Sequence, residues 1–458
     1  MAAFYNREAE QKKIRRALAR ERRQFIVVYG RRRCGKSTLL RKIVNETEGT
    51  YYLASQSNQV LQRQALAATL SDRLPGLAQA NFTSWEDMLR FIATSTKERF
   101  TLILDEFPYL VQSAPDLPSV INRYIDDRDE RSFDLIVCGS SQQMMRGLVF
   151  AATAPLYGRA DEIMKISPLA AGWLADHLSD NSPAQVVREF SVWGGVPRYW
   201  ELRAEYDSFE EAIKALILDP TGIMREEPKR LLLDDMREVT QAISLLTVIA
   251  LGANRMSEIA GRLNQPSTNL SRPLNRLIEL GYVRREVPYG SPRANNKVSL
   301  YKVADPFIRF YFQMVYPFLS TIRPENLDPV YRRVVAAMPL FVSQEWEEIC
   351  RTAIGLHPDL KPYGFAAGRW WGNGTNGRFF ELDVVAKSAD HKTLLVGECK
   401  WSDVKNPDKL QADLLEKAKT LPLYNGQDII PVLTARSFVR RPDGLTFTPV
   451  DILNLLKY

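Results

Sequence analysis

Apolar positions in the first 165 residues come in short blocks. Residues 25–29 (FIVVY) form a β-branched and aromatic run, followed by GRRRCGKSTLL and a helical pattern. A second run at 100–104 ends in Asp105-Glu106, and a third at 133–138 ends in Gly139-Ser140-Ser141. Such runs, bounded by turn residues, predict buried strands. Strands separated by helical stretches predict an α/β fold with a parallel sheet. Helical periodicity dominates from about 165 to 235.

Near residue 238 the texture changes. Three short helical patterns at 241–251, 256–263 and 268–280 precede GYVRREVPYGSPRANNKVSLYKV, which reads as two short strands around a basic Gly/Pro/Asn-rich tip. In the third pattern Pro273 is expected in the first helical turn, where its missing N–H is harmless. Residues 305–319 are aromatic and helical. A second α/β pattern then follows: a helix with Trp346-Glu347, strands at 378–386 and 393–398, and a helix near 407–421. The expected domains are 1–165, 166–237, 238–320 and 321–458.

Hydrophobic residues make up 45% of the 458 and charged residues 25%, so each domain can bury a core. The net charge is +7 and the pI about 9.1, which suits a nucleic-acid partner without requiring one. Cys34, Cys138, Cys350 and Cys399 are far apart and form no CxxC pair, and only three histidines occur; a disulfide framework or zinc site is not expected. The charged N-terminal stretch has no apolar signal core, and no run of about 18 apolar residues follows. A cytoplasmic setting without membrane contact is expected.

The chemistry begins at Gly30-Arg31-Arg32-Arg33-Cys34-Gly35-Lys36-Ser37, which matches the phosphate-binding pattern G-x-x-x-x-G-K-[ST] between a strand and a helix. Backbone N–H groups and the helix N-terminus face the phosphates of ATP or ADP, with Gly30 and Gly35 permitting close approach. Lys36 reaches the β- and γ-phosphates, Ser37 coordinates Mg²⁺, and Thr38 follows in the first turn. Asp105, at the end of an apolar strand, is placed to hold Mg²⁺ through water, and Glu106 to polarise the attacking water. Ser140 stands where a polar residue senses the γ-phosphate. Arg31, Arg32 and Arg33 line the loop tip, either contacting phosphate or DNA or standing in solvent.

Phe4-Tyr5-Asn6-Arg7-Glu8, GRRRCGKST, LILDEFPYL, VCGSS, PLYGR and GGVPRYW, in that order, resemble the archaeal-type AAA+ ATPases close to the STAND and origin-recognition branches. The resemblance covers about 1–235. It implies a P-loop AAA+ sheet with a helical lid, a nucleotide contact from Gly195 and Pro197 with Arg198 beside them, and an arginine finger or γ-phosphate contact at Arg159. Arg159 in a structural ion pair is the competing reading. The finger reading leaves room for a homo-oligomer or another protein partner.

The three helices and basic hairpin suggest a winged helix-turn-helix. Polar and basic residues of its third helix, among them Asn269, Arg272 and Arg276, are candidates for major-groove contacts. Arg284, Arg285, Arg293 and Lys297 are candidates for phosphate contacts on or near the wing. In the last domain Asp383 and Glu398-Cys399-Lys400 lie on successive strands, with Glu398 and Lys400 on one face. Two carboxylates can hold Mg²⁺ or Mn²⁺, and the lysine can orient water for phosphodiester attack. This set resembles the PD-(D/E)xK nuclease fold, which implies a helical acid at Glu347, with Glu345 and Glu348 as rivals. Leu382 stands where the motif's proline is expected, and Gln411 or Lys417 would reach DNA. The expected function is ATP binding and hydrolysis whose nucleotide state controls DNA binding or cleavage. The alternative is a STAND-like regulatory switch with an inactive C-terminal interaction domain.

Overall fold

A computed structural model describes residues 6–96, 98–126, 132–236, 238–292 and 298–457. The chain folds as two compact units. One runs to Pro168 and also includes Asp234–Met236; the other holds Leu169–Leu233 and the chain beyond residue 236.

The first unit is built on a five-stranded parallel sheet: β1 (Phe25–Tyr29), β2 (Thr50–Leu53), β3 (Phe100–Asp105), β4 (Phe133–Gly139) and β5 (Glu162–Lys165), in the order β2-β3-β4-β1-β5. The three central strands are buried almost throughout, as expected of a parallel sheet covered on both faces. Their apolar runs are those the sequence pattern marks. The edge strands β2 and β5 are only half-buried and carry no such run. Phe25, Val27, Leu102, Leu104, Leu135 and Val137 point into one core with Trp85, Met88, Phe107 and Ile121.

The second unit begins with helices from Ala171–His177 to Glu227–Asp235, the last of which ends in the first unit. Helices Val239–Ala250, Met256–Leu263 and Ser267–Leu280 follow, then the antiparallel hairpin β6 (Val283–Glu286) and β7 (Leu300–Val303). Pro273 is not in the first turn: the helix starts at Ser267, capped by Pro266, so Pro273 lies in its interior. There it removes the N–H that would bond to the fourth residue before it.

The 28-residue helix Leu327–Ile354 then packs on a second sheet, with β8 (Gly368–Asn373), β9 (Phe379–Lys387), β10 (Thr393–Val404), β11 (Asp428–Phe438) and β12 (Leu445–Phe447) in the order β12-β11-β10-β9-β8. β10, β11 and β12 are parallel; β9 is antiparallel to both β10 and β8. The hairpin segment is tied to this sheet: Tyr289 N–H donates to the Arg369 carbonyl (2.8 Å), and its hydroxyl accepts from Lys387 N–H (2.8 Å).

Candidate functional site

The helix Lys36–Thr47 starts directly after Gly35, whose φ of 86° turns the loop into it. Gly30 has a role the sequence does not reveal. A Cβ there would meet the Ile166 carbonyl at 2.3 Å, so its missing side chain serves the close approach of the chain after β5. The Lys36 ammonium donates to the carbonyls of Gly30 (2.8 Å) and Arg31 (2.9 Å). Arg7, in the first of the resemblance motifs, fastens the loop from outside: its guanidinium, 5% exposed, donates to the carbonyls of Cys34 (3.0 Å) and Ser167 (2.5 Å). The signal for Arg7 was present, but spacing alone assigned it no partner.

Ser37, Asp105, Glu106 and Ser140 come together. Ser37 Oγ donates to Asp105 Oδ2 (2.6 Å), and the Tyr51 hydroxyl donates to the same oxygen. Burial opposes ionisation of Asp105, but hydrogen bonds from Ser37, Tyr51, Cys138 and the Glu106 N–H outweigh it and hold the carboxyl below its usual range. Glu106 occupies the left-handed region at φ 53°, a conformation that costs a non-glycine residue about 1–2 kcal/mol. Its carboxylate accepts from Ser140 Oγ (2.9 Å). Ser140 therefore orients Glu106 directly. The residues fit Mg²⁺: Ser37 and Asp105 offer adjacent hard oxygens and would hold it, and the metal would neutralise phosphate charge. Thr38 is exposed beside them.

The three loop arginines separate. Arg31 is buried, whereas Arg32 reaches Asp234 (2.9 Å). The neighbouring Ser141 Oγ donates to the Asp234 carbonyl (3.1 Å), and the Gln142 N–H to Asp235 Oδ1 (3.0 Å). The end of helix Glu227–Asp235 is thus bound to both the loop tip and the turn after β4. Arg159 forms an exposed ion pair with Asp126 at 2.6 Å, the bland of its two readings. Gly195 and Pro197 belong to the other unit. There Gly195 meets Leu169 so closely that a Cβ would lie 1.9 Å from its carbonyl, and Pro197 opens helix Pro197–Ala204.

On the helix Ser267–Leu280, Asn269 and Arg272 are exposed, while Arg276 pairs with Glu279 at 3.2 Å. Arg285 is exposed on β6, but Arg284 turns inward to Glu286 (2.8 Å) and Glu348 (2.9 Å) and is not on the phosphate-facing side expected for it. Arg293 and Lys297 lie outside the described residues.

Glu347, Asp383, Glu398 and Lys400 also gather. Asp383 Oδ2 accepts the Cys399 N–H (2.8 Å), and Arg351 fixes the Asp383 carbonyl (2.8 Å). Burial, then the neighbouring Asp383, pushes Glu347 up to about 7; burial and Glu398 raise Asp383. Glu345 pairs instead with Arg309 (3.1 Å), and Glu348 with Arg351 (2.8 Å) and Arg284, so Glu347 is the helical acid that faces Asp383. Glu398 is engaged on both oxygens, by Lys400 (2.6 Å) and Lys417 (3.3 Å). Among the described residues no group of three or more His, Cys, Asp or Glu side chains stands ready to hold a metal ion. Of the expected metal pair, Asp383 is engaged at Oδ2 by the Cys399 N–H, and Glu398 by the two lysines. All four cysteines are buried and outside any disulfide among the described residues, and no described helix is long and apolar enough to cross a membrane.

Residues 4–199 match a family described as an ATPase domain predominantly from Archaea, and residues 311–412 a family described as archaeal and bacterial proteins of unknown function. An uncharacterized protein of Methanocaldococcus jannaschii is 30% identical over 428 residues, covering 92% of this chain and 93% of that one. Among solved structures, the Walker-type ATPase of Pyrococcus abyssi shares 20% identity over 68% of this chain and 96% of its own, with a TM-score of 0.51. The ORC2 protein of Aeropyrum pernix shares 15% identity over 73% and 95%, with a TM-score of 0.43. The family match and the parallel sheet with its phosphate loop support ATP binding and hydrolysis.

Proposed function

Because the chain belongs to the archaeal P-loop ATPase family, we propose that it is an Mg²⁺-dependent ATPase whose nucleotide state governs how its second half engages DNA. Lys36 and the loop amides bind the phosphates, Ser37 and Asp105 hold the metal, and Glu106, oriented by Ser140, positions water. The helices 239–280 with the β6–β7 hairpin act as a winged helix, with Asn269, Arg272 and Arg285 on its exposed surface.

The observation that carries this reading is the helix Glu227–Asp235. Its C-terminal Asp234 and Asp235 bind Arg32, Ser141 and Gln142 in the nucleotide unit. One turn earlier, its Leu231 carbonyl accepts from the hydroxyl of Tyr282, which precedes β6 (3.2 Å). This helix runs from one unit into the other and is the element proposed to carry the signal. A switch of this kind requires different contacts in the ATP and ADP states.

The test is duplex DNA affinity across a salt series, with ATP on the Glu106→Gln variant and with ADP on the wild type. The expected result is log K falling linearly with log salt, with different affinities in the two states. Undetectable binding at low salt, or identical affinity in both states, would sink the coupling.

The set Glu347, Asp383, Glu398 and Lys400 supports a nuclease-like C-terminal domain. The two lysines on Glu398 favour a second reading: a regulatory ATP switch whose C-terminal domain is an interaction surface. Incubating linear, branched and single-stranded DNA with the wild type and Asp383→Ala, with Mg²⁺ or Mn²⁺, separates them. Cleavage lost only in the variant supports the nuclease; no cleavage of any substrate supports the switch.

A further inference from the structure

Five elements of the second unit line a cavity of about 460 Å³: the end of helix Val239–Ala250, the β6–β7 hairpin, the segment around Arg309, helix Leu327–Ile354 and β8. The long helix contributes Leu340, Ser343, Gln344 and Glu347. These recur at the spacing of one helix face, so a single stripe runs along the cavity and ends at Glu347, the carboxyl that faces Asp383.

The lining is cationic. Arg284, Lys302, Arg309 and Arg369 all border it, and Glu347 is the acidic residue among the lining side chains. Their donors exceed the acceptors within reach. Arg309 is satisfied at its Nη atoms by Glu345, Gln344 and the Phe341 carbonyl, but its Nε is buried with no acceptor. Arg369 pairs through Nη2 with Glu381, and its Nε too is buried with no acceptor. Burial pushes both Lys302 and Arg309 down from their ordinary values, against the pull of Glu286 and Glu345 respectively. Buried donors without partners cost free energy that an incoming anion with several acceptor oxygens recovers.

We propose that this cavity binds a phosphate borne by a nucleotide, held by Arg309, Arg369 and Lys302 beside the Glu347–Asp383 pair. The volume suits a small-molecule site of mononucleotide size. The unpaired Nε donors of Arg309 and Arg369 and the Lys302 ammonium suit phosphate oxygens, and Leu340, 68% exposed, offers apolar surface to a sugar or base. The carbonyl end of helix Val239–Ala250 disfavours an anion and suits the donor edge of a base, which orients the phosphate toward the arginines. The ligand is either a free nucleotide or the phosphorylated end of a strand. Only the second source rests on the reading of this half as DNA-acting.

The test uses the full chain carrying Lys36→Ala, so that the phosphate loop does not compete, in the presence of EDTA. The probe is a short fluorescein-labelled single-stranded oligonucleotide with or without a 5′ phosphate, followed by anisotropy, with thymidine monophosphate as competitor. The 5′-phosphorylated probe is expected to bind more tightly. Leu340→Glu, at an exposed position, and Lys302→Met are each expected to weaken it about tenfold, or about 1.4 kcal/mol. A thermal melt of Leu340→Glu followed by circular dichroism, expected to match the wild type, shows that the fold is kept. Competition by the monophosphate assigns the site to free nucleotides; tight probe binding without competition assigns it to strand ends. Equal binding of both probes with no competition, or unchanged affinity in both variants, overturns the proposal. Binding is read without cleavage. Phosphate binding by a chain that cuts nothing leaves the pocket standing and the nuclease reading fallen; cleavage with unaltered binding in the variants does the reverse.

Discussion

Ser37 Oγ and Asp105 Oδ2 share a 2.6 Å hydrogen bond, joining the first turn after the phosphate loop to the end of β3. Both residues are where Mg²⁺ would be held, and Glu106 follows Asp105 under the control of Ser140. Because Ser140 aims Glu106, Ser140→Ala should lower kcat by about tenfold to a hundredfold with little change in KM for ATP. The expectation follows from the size of positioned acid–base effects. Steady-state hydrolysis measures it; an unchanged kcat would mean that Glu106 is oriented without Ser140.

Arg7 is nearly buried and donates to two carbonyls, one in the loop and one beyond β5. Arg7→Ala should destabilise the first unit by about 2–4 kcal/mol, the scale of two charge-assisted hydrogen bonds lost from a buried setting. It should also weaken ATP binding. Urea denaturation and nucleotide titration check the two effects separately.

The two loop glycines should fail differently. Gly30→Ala drives a Cβ into the Ile166 carbonyl and should cost about 3 kcal/mol of stability. Gly35→Ala has open space but a positive φ, costs about 1 kcal/mol of stability, and should act mainly on phosphate binding. Equal loss of melting temperature in both would contradict these roles.

Much of this site was legible in the sequence because its parts are local. The loop, the acidic strand end and the serine after β4 each sit beside an apolar run, and those runs are the central strands, buried almost throughout. The edge strands β2 and β5 escaped because half-buried strands need no continuous apolar run. Long-range partners were invisible for a different reason. Nothing in the spacing ties Arg32 to Asp234, or turns Arg284 inward while Arg285 faces out. Choosing Glu347 over Glu345 and Glu348 needed the helix rotation that only packing against β9 and β10 supplies. Pro273 misled because proline is harmless only in a first turn, and even a helix starting at 268 already places it beyond that turn.

Glu286 gives a pH signature for the second unit. Burial alone would raise its carboxyl, but Lys302, Arg284 and Arg351 overcome this and hold it at about 2, below its ordinary 4.5. A depressed carboxylate contributes stability above its unfolded value and loses it as pH falls through the folded one. The contribution, about 3 kcal/mol, should therefore be intact at neutral pH and disappear between about pH 4.5 and pH 2. Glu286→Gln should flatten that part of the stability curve, measured by tryptophan fluorescence in urea.

Asp235→Ala removes the acceptor for the Gln142 N–H and should cost about 1 kcal/mol. Its larger effect should be on communication: ATP hydrolysis persists while the ATP–ADP difference in DNA affinity shrinks. An undiminished difference would show that helix Glu227–Asp235 does not carry the signal.

The most direct test is ATP turnover by the purified full chain with Mg²⁺, alongside Lys36→Ala and Glu106→Gln. The wild type should hydrolyse ATP, Lys36→Ala should neither bind nor hydrolyse it, and Glu106→Gln should bind it without appreciable turnover. Hydrolysis that survives Lys36→Ala would contradict the account at its centre.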